Sequence, residues 1–159
     1  MTSPLREPEQ APDRPPSPLR DTGVNALWHR LSPRAWTSLA LVTVEEDDQS
    51  RWLAKRLAAI AEQARQPLTA LVVSAGSPGR AVAVAHALSA LRSRPRPRSR
   101  RYLVATGAPL AHPELLELTA AADAVLVLLR RGQTSLPEAR RLVRLLGRER
   151  VIGCVLVAW

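Results

Sequence analysis

The 159-residue sequence has one cysteine, one tyrosine, one lysine and no phenylalanine. The single cysteine, Cys154, excludes a disulfide framework and a cysteine-based zinc cluster, and it fits a reducing compartment. No apolar run approaches the roughly 18 residues that a membrane span needs. The first 20 residues contain prolines and charges without an apolar stretch, so we expect no secretory signal peptide. With so few aromatic residues, the core of one ordinary domain must be built from Leu, Val and Ala.

Basic charge is abundant but is concentrated in one place. The formal net charge is +9, and 22 of the 23 cations are arginine, Lys55 being the exception. Six of the nine excess charges lie between Arg92 and Arg101, a stretch that contains no acid. The arginines indicate either a nucleic acid or anionic membrane partner, or the codon usage of a GC-rich genome. Because the excess is local, the first interpretation concerns this stretch and not the whole surface.

The chain divides into an arm, a short connecting region and a periodic region. Residues 1–23 hold six of the 14 prolines and few large apolar side chains, so we expect a disordered arm. Residues 24–34 predict a short helix and a linker, because Pro33 would end a helix there. From residue 35 onward, compact apolar runs alternate with stretches of helical periodicity. The runs predict five strands, over 39–44, 68–74, 101–105, 124–129 and 151–157. The other stretches predict four helices, over 50–65, 80–91, 113–122 and 135–146.

Strands that are apolar on both faces and alternate with amphipathic helices indicate a parallel sheet covered on both sides. The predicted fold class is therefore α/β, with three layers and a mostly parallel five-stranded sheet over residues 35–159. Ligands in such folds bind beyond the carboxyl ends of the strands. Four loops should therefore carry any site: 45–50, 74–79, 106–112 and 130–134.

The first of these loops has the opposite charge to a phosphate-binding loop. A phosphate loop is rich in glycine and carries a lysine. Here the residues are Glu45, Glu46, Asp47, Asp48, Gln49, Ser50 and Arg51. Four adjacent carboxylates would repel a triphosphate, at about 1 kcal/mol for each close contact even in water. Two interpretations of the acidic run stay open: a solvated cap at a helix N-terminus, or a site for a divalent cation.

The remaining candidate residues carry weaker signals. The Gly- and Ser-rich loop from Ser74 to Arg80 indicates a plain strand-to-helix turn or an anion site at a helix start. Arg130 and Arg131 place two cations beside the expected cleft. The three histidines, at positions 29, 86 and 112, lack metal-ligand spacing, so we expect no metal site among them. Cys154 lies in an apolar run, which predicts a buried, inert thiol.

The order of several motifs resembles that of bacterial tyrosine kinases and their ParA/MinD-type ATPase relatives, which have a P-loop NTPase fold. The stretch 101–109, RYLVATGAP, is similar to their YDLVIIDTPP, and 121–134, AADAVLVLLRRGQT, is similar to LADGVLLVVRAGRT. The stretch 145–156, LLGRERVIGCVL, resembles LLGRARVLGVVLN. The resemblance covers roughly residues 35–159, and its C-terminal third is the most specific part.

The departures from that family fall on the chemistry. When the sequence is aligned back from Leu57, the Walker lysine of the family falls at Ser50 and two loop glycines fall at Asp47 and Gln49. The aspartate that ends the second strand falls at Ser74, and the Walker B aspartate falls at Thr106. The resemblance therefore carries over no catalytic, nucleotide-binding or metal-binding residue, and no cofactor is expected.

The resemblance implies a catalytically inactive, kinase-like interaction protein in bacterial exopolysaccharide or capsule biosynthesis and export. Its implied partner is a membrane chain-length regulator (co-polymerase) or a homologous active kinase, and its implied location is the cytoplasm or the inner face of the membrane. One alternative is a ParA/MinD-like protein that binds nucleic acid or an anionic membrane through the basic stretch. Another is an enzyme with residual nucleotide-dependent activity. The possible contacts of an anionic partner are Arg94, Arg96, Arg98, Arg100, Arg101, Arg130 and Arg131.

Overall fold

A five-stranded sheet lies between two layers of helices in the computed structural model, which describes residues 18–93 and 100–158. The strands are β1 (Ser38–Thr43), β2 (Leu68–Val72), β3 (Arg101–Gly107), β4 (Ala124–Arg130) and β5 (Val151–Val157). The helices are α1 (Pro18–Leu31), α2 (Gln49–Gln63), α3 (Pro78–Arg92), α4 (Pro113–Ala121) and α5 (Leu136–Leu146). The predicted α/β fold is confirmed, and each strand lies within two residues of its predicted bounds.

All strand pairs in the sheet are parallel, and the strand order is β2-β3-β1-β4-β5. β1 is the central strand, and all six of its residues are buried. Its side chains alternate between the two faces: Leu39 and Leu41 pack toward α1 and α2, whereas Ala40 and Val42 pack toward α3, α4 and α5. This double burial explains why the strand is apolar throughout instead of alternating with polar residues.

Helix α1 is longer and more deeply embedded than the predicted helix and linker. It begins at Pro18, inside the predicted disordered arm. Proline is compatible with that position because an N–H in the first turn of a helix has no intrahelical partner to lose. Val24, Trp28 and Leu31 are buried against β1 and α2. The helix is therefore part of the core. The predicted disorder of residues 1–17 concerns positions outside the described residues.

The amino ends of β1 and β4 are joined through Asp123. Its carboxylate Oδ2 accepts hydrogen bonds from the backbone N–H groups of Thr37 (3.0 Å) and Ser38 (3.1 Å). In return, the Ser38 hydroxyl accepts a bond from the N–H of Asp123 (2.9 Å). The guanidinium of Arg92 lies 3.7 Å from Oδ1. These contacts fix the two central strands in register where both begin.

Arg150 caps the C-terminal end of α4, which lies next to Asp123. Its Nη2 group donates to the carbonyls of Thr119 (2.8 Å) and Ala120 (2.7 Å), and it also contacts the carbonyl of Ala122. The last carbonyls of a helix lack intrahelical donors, so this side chain satisfies groups that would otherwise need water. Burial lowers the pKa of Arg150, and the nearby Arg92 lowers it further.

The prediction that Cys154 is buried is wrong. The residue lies on β5, which is the last strand of the sheet, and its side chain is exposed. Its side chain lines an open groove beside α5, so this part of the apolar run is not covered by the described residues. Partial burial nevertheless raises the pKa of the thiol, which disfavours the thiolate.

Replacement of the Asp123 carboxylate tests its role in joining the strands. In Asp123→Ala, two backbone N–H groups lose their acceptor, so we expect the free energy of unfolding to fall by about 2 to 4 kcal/mol. Urea denaturation followed by circular dichroism measures this change. Glu117→Ala, on the exposed face of α4, is the matched control and should stay within about 0.5 kcal/mol of the parent. Equal effects of the two changes would contradict the role of Asp123.

Removal of the Trp28 side chain tests whether α1 belongs to the core. Trp28 is 3% exposed, so Trp28→Ala should cost about 3 to 5 kcal/mol in the same assay. His29→Ala, at the adjacent exposed position, should cost less than about 0.5 kcal/mol. A loss below about 1 kcal/mol for Trp28→Ala would show that α1 does not contribute to the domain.

Candidate functional site

A cleft opens at the carboxyl ends of the parallel strands, between the ends of β1 and β3. It forms there because the chain leaves β1 toward α2 on one face, whereas it leaves β3 toward α4 on the other face. Such a divergence is the usual position of a ligand site in an open parallel sheet. The cavity has a volume of about 390 Å³.

The cleft brings together most of the residues that the sequence placed in the degenerate phosphate loop, together with both lost acidic positions. Glu45 and Gln49 are the exceptions: Glu45 contacts the loop after β4, and Gln49 is buried beside α1. The polar residues that line the cleft are Glu46, Asp47, Asp48, Ser50, Arg51, Ser74, Thr106 and His112. The loops after β1, β2 and β3 therefore border one cavity, whereas the fourth loop marked in the sequence, 130–134, is not part of its wall.

Each acidic side chain of the first loop but one has a local partner. Glu45 Oε2 accepts a hydrogen bond from the Thr134 hydroxyl (2.9 Å), and Glu46 contacts His112 Nε2. Asp47 Oδ1 accepts from the backbone N–H of Gln49 at the start of α2 (3.0 Å). Asp48 occupies the N-cap position but makes no side-chain capping bond. Asp47 is therefore the residue that caps α2, so the capping interpretation holds for one carboxylate of the four.

Asp47 is a partly buried acid of the cleft. Burial raises the pKa of its carboxyl, and the charges of Glu45 and Asp48 add to that effect. The Gln49 N–H bond and the charge of Arg130 oppose it. The second oxygen, Oδ2, is buried and has no hydrogen-bond partner in the described part of the chain. This arrangement favours the protonated carboxyl more than water would.

Thr106 sits at an irregularity in the sheet. The β1–β3 register shifts at this point, since Leu41 pairs with Ala105 whereas Val42 pairs with Gly107. Thr106 is the extra residue, and its hydroxyl donates to the carbonyl of Leu41 (3.3 Å). Gly107 then adopts a φ of 81°, which glycine accepts without strain. The strand bends where a bulge would re-aim a side chain into the cleft.

The lining favours cationic or neutral hydrogen-bonding groups over phosphates. Three carboxylates border the cavity, and Arg51 is the only lining arginine or lysine. Lys55 is exposed on α2 and is not among the lining residues. In the described residues, no group of three or more His, Cys, Asp and Glu side chains has the arrangement of a metal site.

The other predicted cations lie apart from the cavity wall. Arg130 ends β4 near Asp47, and its N–H donates to the Thr134 hydroxyl (2.7 Å). Arg131 is exposed, and its backbone N–H donates to the carbonyl of Val157 (2.9 Å). Neither residue lines the cleft.

Arg100 and Arg101 lie where β3 begins, at the amino ends of the strands and so away from the cleft. Arg101 stacks over Trp36, with its guanidinium carbon 4.6 Å from the ring centre, and donates to the carbonyl of Arg34 (3.2 Å). Burial lowers the pKa of Arg101. Arg100 is exposed, whereas positions 94, 96 and 98 fall outside the described residues. Arg101 thus has structural contacts, and an anionic partner for the stretch stays a prediction.

Comparison with known proteins places the fold. No family model and no curated protein matches the sequence. Among solved structures, the chain is similar to the kinase domain of Escherichia coli tyrosine kinase ETK. The TM-score is 0.66 at 14% sequence identity, over 87% of this chain and 75% of that one. The two chains share a fold. No helix in the described ranges is long and apolar enough to cross a membrane.

Two side-chain pairings near the cleft were not predicted from the sequence. Thr134 joins Glu45 to the loop after β4, and His112 joins Glu46 to the loop after β3, with Glu114 Oε1 lying 3.7 Å from His112 Nδ1. Both lie in or next to loops that the sequence marked for inspection. Their pairings depend on which strands are neighbours, and the order of the strands is not written in any local pattern.

The raised pKa of Asp47 makes a testable prediction about stability. Because the pKa of Asp47 in the folded state lies above the ordinary value of an aspartate, the folded chain binds this proton more tightly than the unfolded chain does. The contribution of Asp47 is therefore present at acid pH and is lost as pH rises through the folded pKa. Asp47→Asn, which keeps an acceptor for Gln49, should be more stable than the parent at pH 7, and the difference should shrink toward pH 4.

Urea unfolding at several pH values checks this, with Glu117→Gln as the exposed control. A destabilised Asp47→Asn at pH 7, or a difference that does not change with pH, would contradict the assignment.

Proposed function

We propose that this protein is a catalytically inactive, kinase-like protein that acts by binding a partner in bacterial exopolysaccharide or capsule biosynthesis. The observation that carries the proposal is the cleft at the carboxyl ends of the strands, where open parallel sheets usually bind ligands but this chain supplies Glu46, Asp47 and Asp48. Phosphoryl transfer depends on positioning and on cations that neutralise the transferred group. A cavity bordered by carboxylates works against both.

The other polar residues of the cleft support the same conclusion. Ser50, Ser74 and Thr106 can exchange hydrogen bonds but can neither neutralise a triphosphate nor hold Mg²⁺ as carboxylates would. The carboxylates that border the cavity all lie on the first loop, which is where the resemblance places the phosphate loop of the family. Each close contact would cost about 1 kcal/mol in water and more where water is excluded.

The pathway and the class of partner come from family likeness. The sequence motifs resemble those of bacterial tyrosine kinases in their order and spacing, and the fold is that of the ETK kinase domain. A membrane chain-length regulator or an active kinase of the same family is the partner that this likeness favours. Co-purification of the tagged full chain with each of the two, expressed together, tests the partner. Recovery of neither would remove the pathway from the proposal.

Calorimetric titration with ATP and Mg²⁺ tests inactivity at the cleft. We expect no binding with a micromolar Kd by the parent chain. The variant Glu46→Gln/Asp47→Asn/Asp48→Asn removes the repulsion and should show measurable, weak binding of ATP. Asp47→Asn alone is the intermediate control. Micromolar binding of ATP with Mg²⁺ by the parent, together with release of phosphate, would overturn the proposal.

A further inference from the structure

Strand β5 is an edge strand without the features that usually protect an edge. It pairs with β4 and with no other described strand, and its sequence VIGCVLV contains neither charge nor proline. Natural edge strands are commonly blunted by charged residues, proline or a covering segment, because their free peptide groups accept another strand. Arg34 Nη1 covers one carbonyl, that of Ile152 (3.1 Å). The rest of the strand has no such cover among the described residues.

The free peptide groups of this edge can be assigned. The carbonyl of Val157 accepts a bond from Arg131 on the β4 side. Because successive residues of a strand direct their peptide groups to opposite sides, those of Cys154 and Leu156 point away from β4. Both side chains are exposed, Leu156 by 65%.

One face of this edge is basic. Arg140, Arg144 and Arg148 recur every fourth residue along and just beyond α5, and all three are exposed. They line a groove of about 580 Å³ that also contains Cys154 and Leu129. No ion pair joins these arginines to an acid in the described part of the chain. The groove therefore offers three cations to any strand that lies beside β5.

The opposite face of the same edge is apolar. A cavity of about 270 Å³ lies between α1, α2 and β5, and its wall is largely hydrophobic. The main side chains of that wall are Val24, Leu27, Trp52, Leu53, Val155 and Val157. An added strand would therefore meet arginines on one side and an apolar cavity on the other.

We infer that β5 accepts an extended segment of a partner protein in which acidic and apolar side chains alternate. Side chains of a strand point alternately to the two faces, so this pattern directs every carboxylate toward the arginines and every apolar side chain toward the cavity. The partner strand would gain backbone hydrogen bonds from Cys154 and Leu156. The inference names a surface for the interaction protein proposed above and rests on that role.

Charge argues against a second copy of this chain as the occupant. Antiparallel pairing of two β5 strands requires a two-fold axis perpendicular to the sheet, so both α5 helices would lie on the same face. Their arginine rows would then approach each other, and like charges destabilise such a contact. An acidic segment reverses the sign of the same interaction.

Cys154 makes the test direct, because it is the only cysteine of the chain. The probe is a synthetic peptide of alternating Glu and Val, and the matched peptide has Lys in place of Glu. Binding to the full chain is followed by the alkylation rate of Cys154 and by amide exchange at Cys154 and Leu156. We expect the Glu peptide to slow both by at least about tenfold at saturation, and the Lys peptide to have no effect.

Charge reversal locates the contact. Arg140→Glu/Arg144→Glu should weaken the Kd of the Glu peptide by about tenfold or more, whereas Arg141→Glu, an exposed change of the same kind on α5, should leave it within about twofold. The peptide titration would overturn the inference if the Glu peptide did not bind or if both peptides bound equally. Equal effects of the two variants would also overturn it. So would a dimer of the free chain, seen in sedimentation, in which Cys154 is protected. The peptide titration is independent of the ATP titration, so failure of this surface and failure of the inactive cleft are distinguishable.

Discussion

The carboxylate of Asp123 is the constraint on which the central sheet depends. It receives two backbone N–H groups from the residues that lead into β1, and its own N–H bonds the Ser38 hydroxyl, so β1 and β4 start at a fixed register. A parallel pair has no tight turn to set its alignment, since the two strands are joined through distant segments. A one-residue slip would turn each buried side chain to the other face. The position of both helix layers, and of the cleft between them, follows from this register.

The topology makes the cleft, and the side chains decide what it can hold. Divergence of the chain after β1 and β3 opens a cavity at that edge whether or not the loops suit a phosphate. Here Glu46 pairs with His112, and Glu45 pairs with Thr134, so two of the carboxylates also tie neighbouring loops together. Glu46, which borders the cavity, thus also joins two loops of its wall.

The local pattern of the sequence was sufficient for the elements and insufficient for their exposure. Buried strands are recognisable as apolar runs because water is excluded from both faces. Each of the five apolar runs in the sequence corresponds to one of the five strands. Cys154 lies in the same kind of run, yet it is exposed, because β5 is at the edge of the sheet and edge position depends on pairing between distant segments. The contacts of Thr134 and His112 depend on strand order in the same way. The start of α1 at Pro18 was hidden by a proline-rich composition that ordinarily opposes helix.

The central place of β1 has a consequence for how the chain folds. β1 comes first in chain order among the described strands, but both of its neighbours, β3 and β4, lie at least 58 residues further along. Until those segments emerge, an apolar strand with two free edges is exposed, and such strands pair readily with those of other nascent chains. The four carboxylates at residues 45–48 follow it directly. Flanking charge of one sign disfavours association between apolar segments of separate chains, so we expect the acidic run to oppose aggregation of β1 during synthesis.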